Sequence, residues 1–406
     1  MMGSEPFLPY GRQLIDDDDV EAVVQVLHGD LITTGPVVTH FEHALGQRIG
    51  ASSVVACSSG TAALHLALLA LNLQPGKRDA AIVPSVTFAA TANVARFIGL
   101  HVVFSDVDPE TGLMRDCDLE AALCRARSDG LVPRVVLPVH FAGQSADVPV
   151  LVDIASSASC AVVVDAAHAL GSQEPGGIPV GSDQSTAHMT CFSFHPVKTI
   201  TTGEGGAVTT SDPDLGQTLQ RLRSHGITRE PSAFMNRDMG FTEERANPWY
   251  YELQDIGPNY RITDIQCALG LSQLGKLDRF LESRAAQVAR YHERLAPMAP
   301  LIRPLKNLHR PQTGWHLFVA LIDFDAAGTS RAHVMDALHK AGIGTQVHYI
   351  PVHTQPYYRQ HSPWAELPGA MEYYRRTLSL PLFPGMTVDQ VDRVVDTLQS
   401  LPELQA

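Results

Sequence analysis

The chain has 406 residues, 45% of them hydrophobic, and a formal net charge of −13. That length supports a large core and about two domains, and the negative balance without any basic run argues against nucleic acid as the main partner. No apolar run reaches the roughly 18 residues that cross a bilayer.

The opening MMGSEPFLPYGRQ has no charged segment followed by an apolar one, so no export signal is visible. The six cysteines show no CxxC and no zinc-type spacing, which suits reduced thiols and a cytoplasmic location. DDDDVEAVVQVLHGD reads as a first helix, with Val20, Val23, Val24 and Leu27 on its inner face, the aspartates as a solvated start and Gly29 as its stop. Short β-branched runs then alternate with helical patterns. SVVAC precedes TAALHLALLAL, AAIVP precedes AATANVARFIG, and HVVFSDV, RVVLPVHF, CAVVVD, MTCFSF and GGAVTTS follow as strands. Continuous apolar strands separated by helices predict an α/β fold with a mostly parallel sheet covered on both faces. From residue 276 a long amphipathic helix begins. After it HLFVALIDF, the helix SRAHVMDALHKAG, the strand GTQVHYIPV and a last helix read as a smaller α+β domain. The expected division is 1–275 and 276–406.

Only five lysines occur, and four of them (77, 276, 306 and 340) lie in stretches that look solvent-facing. Lys198 follows the apolar strand MTCFSF by a short turn. In a turn it would simply cap a carbonyl; sheltered, it would be an amine able to form a Schiff base with an aldehyde cofactor. Pyridoxal phosphate (PLP) needs such a lysine, an acid for its ring nitrogen and a cradle for its phosphate. Asp165 ends AVVVD, where it would equally serve as a cap for a helix AAHAL. CSSGTAAL sets Ser58, Ser59, Gly60 and Thr61 at a strand-to-helix turn, whose free N–H groups hold phosphate or act as a plain helix start. All three segments lie just past the carboxyl end of a predicted strand, the edge at which open α/β sheets bind ligands.

These segments resemble the DegT/DnrJ/EryC1/StrS sugar aminotransferases, which are fold-type I, PLP-dependent enzymes. The resemblance runs nearly end to end through CSSGTAAL, PSVTFAATAN, VHFAGQ, DAAHALGS, SFHPVKTITTGEGGAV and NYRITDIQCALGLSQLGKLD. It implies that Lys198 bonds to the cofactor's aldehyde and that Asp165 pairs with its ring nitrogen. It also implies that Gly60, Thr61 and Ser193 contact the phosphate, that Phe88 stacks on the ring and that His168 sits near the ring hydroxyl. Asn259 would reach the cofactor of a neighbouring subunit, which makes the expected state a homodimer with equivalent sites. By themselves, Phe88 and His168 would fit ordinary core positions. His195 takes no role, GEGG at 203–206 reads as a backbone bend, and no histidine spacing suits a metal.

NPWYYELQDIGPNYRITDIQ and GIGTQVHYIPVH resemble the branch that aminates C4 of a UDP-linked 4-keto-6-deoxy-N-acetylhexosamine on the way to pseudaminic acid, with glutamate as donor. Tyr250, Tyr251, His348 and Tyr349 then become sugar-nucleotide contacts, and Arg261 a counter-charge for a diphosphate; an aromatic seam and a dimer ion pair are the structural alternatives. A dTDP-linked ketosugar is the rival substrate. A PLP-dependent dehydratase of the family would carry histidine in place of Lys198, and a regulator on this fold would append a DNA-binding domain.

Overall fold

The computed structural model describes residues 6–73, 76–362 and 365–405; the first five residues of the stretch examined for an export signal lie outside these. Seven strands form one sheet in the order β1-β7-β6-β5-β4-β2-β3. They are β1 (Ser53–Cys57), β2 (Asp79–Pro84), β3 (His101–Ser105), β4 (Val132–Val136), β5 (Ala161–Asp165), β6 (Met189–Ser193) and β7 (Gly206–Thr210). Every neighbouring pair is parallel except those made by β7, which runs antiparallel to both β1 and β6. One reversed strand thus leaves β1, β5 and β6 with their carboxyl ends on the same edge.

The strands read as apolar runs because helices cover both faces. Val162, Val163 and Val164 are fully enclosed, each worth about 1.5–3 kcal/mol relative to an exposed side chain. α1 (Asp17–Leu27) and α2 (Pro36–Ile49) precede β1, α3 (Gly60–Ala70), α4 (Ala89–Phe97), α5 (Asp116–Ser128) and α6 (Val148–Ser157) run between successive strands, and α7 (Pro213–Arg223) follows β7.

The helix Leu277–Leu295 joins two hydrophobic clusters. Leu277, Phe280 and Leu281 belong to the one beneath the large sheet, and Val288, Tyr291 and Leu295 to a second, smaller one. A three-stranded antiparallel sheet, Ile302–Pro304, Phe318–Ile322 and Thr377–Leu380, shares the junction. Along its middle strand Val319 and Leu321 enter the first cluster, while Phe318, Ala320 and Ile322 enter the second. The helix Val388–Gln399 closes the chain.

Local expectations fail at four places, each for a physical reason. In α1 it is Asp19 that is fully buried, while Val20 and Leu27 are more than half exposed. Asp19 turns inward because Lys276 pairs with it at 2.9 Å and the Gln273 amide donates to it at 2.7 Å. Lys276 also pairs with Asp16, so it is not solvent-facing: its side chain is 12% exposed. No helix follows Asp165; residues 166–172 are turns. GTQVHYIPV forms no strand either, only a single bridge from Gln346 to Ser379, because the segment bends to face the sheet edge.

Candidate active site

A cavity of about 610 Å³ opens at the shared edge. It is lined from β1–α3 by Gly60 and Thr61, from β5 by Asp165 and His168, and from β6 by Ser193 and Lys198. Phe88, His348 and Tyr349 complete much of its wall.

The α3 start is a tight piece of packing. Ser59 is the N-cap, its side chain accepting from the Ala62 amide at 3.0 Å. The amides of Gly60 and Thr61, in the first turn, have no carbonyl one turn back to receive them. A Cβ on Gly60 would lie 2.7 Å from the Ser193 Cβ, so bare backbone is required for α3 to press against the end of β6. The result is a concave patch of N–H groups and hydroxyls at a helix N-terminus, which favours an anion.

Asp165 is 5% exposed. The Thr91 hydroxyl donates to its Oδ2 at 2.7 Å and the Ala167 amide to its Oδ1 at 3.0 Å. Thr87 lies 2.8 Å from Thr91 and, with Thr91's proton spent on Asp165, donates to it. Burial pushes the Asp165 carboxyl above its usual range, against these hydrogen bonds and the nearby Lys198 charge.

Lys198 ends a turn in which its amide donates to the His195 carbonyl at 2.8 Å. Burial pushes its ammonium down to about 8, and the Asp165 charge pulls the other way. That value leaves a useful fraction of free amine near neutrality.

His168 accepts a long bond from the Ala142 amide at 3.4 Å through Nδ1. Nε2 is then the protonated nitrogen and donates to the Tyr349 hydroxyl, 3.1 Å away. His316 lies beside it, ring centroids 4.3 Å apart. Burial holds His168 and His316 well below the ordinary imidazole range and His348 at about 3, with the Lys198 charge acting the same way on all three. Around the lysine the imidazoles are therefore neutral.

Phe88 is 60% exposed at the head of α4, so it is not a core residue. Tyr250, Asn259 and Arg261 do not line this cavity. Tyr250 packs edge-on against Phe234 and donates to Glu252 at 3.0 Å, and Asn259 is exposed. Tyr251 is half exposed, with Arg229 over its ring at 5.4 Å. His195 stands exposed at the rim.

Sequence reasoning missed Thr91, Tyr10 and His316. Thr91 sits inside the quoted PSVTFAATAN, three residues past Phe88, where threonine at a helix start needs no special explanation. Tyr10 and His316 come from opposite ends of the chain, and nothing local announces their place on the wall.

The model of the DegT/DnrJ/EryC1/StrS aminotransferase family matches residues 13–399. The chain belongs to that family. Among the family's curated proteins, the spore coat polysaccharide biosynthesis protein SpsC of Bacillus subtilis (strain 168) is 37% identical over 400 residues, covering 97% of each chain. Among solved structures, Helicobacter pylori PseC, an aminotransferase of pseudaminic acid biosynthesis, superposes with a TM-score of 0.85 at 29% identity, covering 96% of this chain and 98% of that one. A Streptococcus pneumoniae family protein, Spr1654, solved in its PLP-form, gives 0.82 at 27% identity over 96% of this chain and 97% of its own. This family member is accordingly a fold-type I, PLP-dependent sugar aminotransferase. Among the described residues no helix is long and apolar enough to cross a membrane.

Proposed function

We propose that this enzyme moves the amino group of glutamate to C4 of a UDP-linked 4-keto-6-deoxy-N-acetylhexosamine, a step toward pseudaminic acid, leaving 2-oxoglutarate. The observation that carries the reading is the opening of Lys198, Asp165 and the α3 N-terminus into one cavity; the likeness to PseC supports the choice of sugar.

The residues fit PLP. Asp165 is a buried carboxylate with hydrogen-bond donors but no ion-pair partner among the described residues, so a protonated ring nitrogen would supply the missing positive charge. The gap that a Cβ on Gly60 would fill suits a phosphate, which Thr61 and Ser193 would hold with their hydroxyls. Phe88, at the rim, would cover the ring, and His168, fixed by Tyr349, would meet the ring hydroxyl. Bound there, PLP supplies an aldehyde carbon to carry the amino group and a ring that accepts electrons.

Lys198 does the proton work. Displaced as a free amine, it takes the α-proton of glutamate; in the return half it gives a proton to C4 of the sugar. Its depressed pKa suits both directions, and Asp165 keeps the ring electron-poor throughout. His348 and Tyr349 meet the sugar nucleotide from the wall.

A homodimer completes the site. Asn259, Tyr250 and Arg261 do not line the cavity of their own chain, and close to them in sequence Trp249 is 71% exposed, Leu253 65% and Ile256 93%. A second copy would cover this apolar surface and receive Asn259 at its cofactor phosphate. The cytoplasm is the proposed location.

The test is incubation of the holoenzyme with glutamate and, separately, UDP- and dTDP-linked 4-ketosugars. An aminated UDP-sugar bearing nitrogen at C4, identified by mass and NMR, supports the reading. Amination of the dTDP substrate alone, or nitrogen at C3, overturns the assignment of the sugar.

A further inference from the structure

The most anomalous charge in the molecule lies outside the cavity. Arg284, in the middle of the Leu277–Leu295 helix, is fully buried. No carboxylate pairs with it among the described residues, and its Nε and Nη2 have no hydrogen-bond partner there. An unpaired guanidinium in the interior costs several kcal/mol, and burial alone drags it down to about 10. A methionine would pack in its place more cheaply, so its retention calls for a cause beyond stability.

Its contacts supply one. Nη1 donates to two backbone carbonyls, those of His316 and Leu382, each at 3.1 Å. His316 lines the cavity. The Leu382 amide donates to the Tyr10 carbonyl at 3.0 Å, and Tyr10 lines it too. The same helix face holds the irregular 381–386 segment at further points: Tyr291 donates to the Pro381 carbonyl, Gln287 to those of Phe383 and Met386, and Ser283 to that of Pro384. Those carbonyls have no strand neighbour to satisfy them. Arg284 ties the clamp to His316 directly and to Tyr10 through Leu382, whose amide shares a peptide with the Pro381 carbonyl that Tyr291 holds.

We propose that Arg284 is a positioning residue: it fixes His316 directly, and Tyr10 through Leu382, on the wall that the sugar nucleotide meets. The inference rests on the reading of the site given above. The ketosugar, far larger than glutamate, has to extend from Lys198 to this wall, whereas the donor needs only the space beside Lys198, which Arg284 does not touch.

The test compares Arg284→Met and Arg284→Lys with wild type, all as holoenzyme. The two half-reactions are followed separately by cofactor absorbance. Expected for Arg284→Met are retained cofactor and a glutamate half-reaction within about threefold of wild type. KM for the ketosugar should rise about tenfold or more, the order of one lost positioning contact. Arg284→Lys, which keeps the charge and a donor for one carbonyl, should fall between the two, and it serves alone if the methionine variant does not fold. Equal losses in both half-reactions, or no loss in either, would overturn the proposal, as would full loss of ketosugar turnover in Arg284→Lys. A wild-type enzyme that turned over glutamate but no UDP-ketosugar would instead count against the substrate reading.

Discussion

The cavity floor and the 231–261 segment treat their polar side chains in opposite ways. At the floor, three separate chain segments meet because β1, β5 and β6 end on one edge, and their polar groups line a shared cavity. In the segment, polar atoms bond locally. Glu252 accepts from the Met235 and Asn236 amides, Gln254 and the Tyr250 hydroxyl, and those donors, the Met235 amide first, hold its carboxyl at about 2. Apolar side chains are left outside, with Met235 81% exposed. One region gathers polar groups from distant strands around a cavity, and the other satisfies its polar groups locally and leaves apolar side chains exposed.

The severest way to break this contrast is at the floor. Lys198→Ala should retain PLP through the cradle and lose at least about 10⁴-fold in transamination, since proton transfer and covalent capture go together; appreciable turnover of glutamate would remove the lysine from the chemistry. In cofactor-free wild type the same amine should react with acylating probes with a midpoint near 8, whereas an exposed lysine would wait until about 10.5. The second test sharpens the segment's side. Asn259→Ala should weaken cofactor retention about tenfold, and mixing it with Lys198→Ala should restore activity, because a mixed dimer has one site with both native residues. No recovery after subunit exchange would mean that Asn259 serves its own chain. The smallest effect belongs to Thr91→Val. Losing a hydrogen bond that favours the ionised form raises the Asp165 pKa further, so the acid limb of the rate should move to higher pH. An unshifted limb would show that Thr91 does not tune Asp165.

The same contrast explains what could be read from the amino-acid order. Strand ends are fixed by short apolar runs, so the placement of Lys198, Asp165 and Gly60 on one edge followed from local patterns and one rule of α/β topology. The inward turn of Asp19 did not, because it depends on Lys276, some 250 residues later. The mistaken strand at GTQVHYIPV has the right β-branched composition but no neighbour to pair along. Tyr250 carried a motif's promise, yet its hydroxyl is occupied by a residue two positions away. Arg284 shares the apolar face of its helix with Leu277, Leu281 and Val288, so the spacing placed it inward, but its partners, the His316 and Leu382 carbonyls, come from distant segments that no local pattern announces.

The strand Phe318–Ile322 works as a party wall, lending alternate residues to two cores. Anyone hoping to exchange the C-terminal portion with that of a relative, to change which sugar is accepted, would be exchanging half of each room's plaster. A graft that slipped this strand by one position would turn every side chain to the wrong tenant, so acceptor preference in this scaffold is more readily altered by point changes on the wall than by swapping modules.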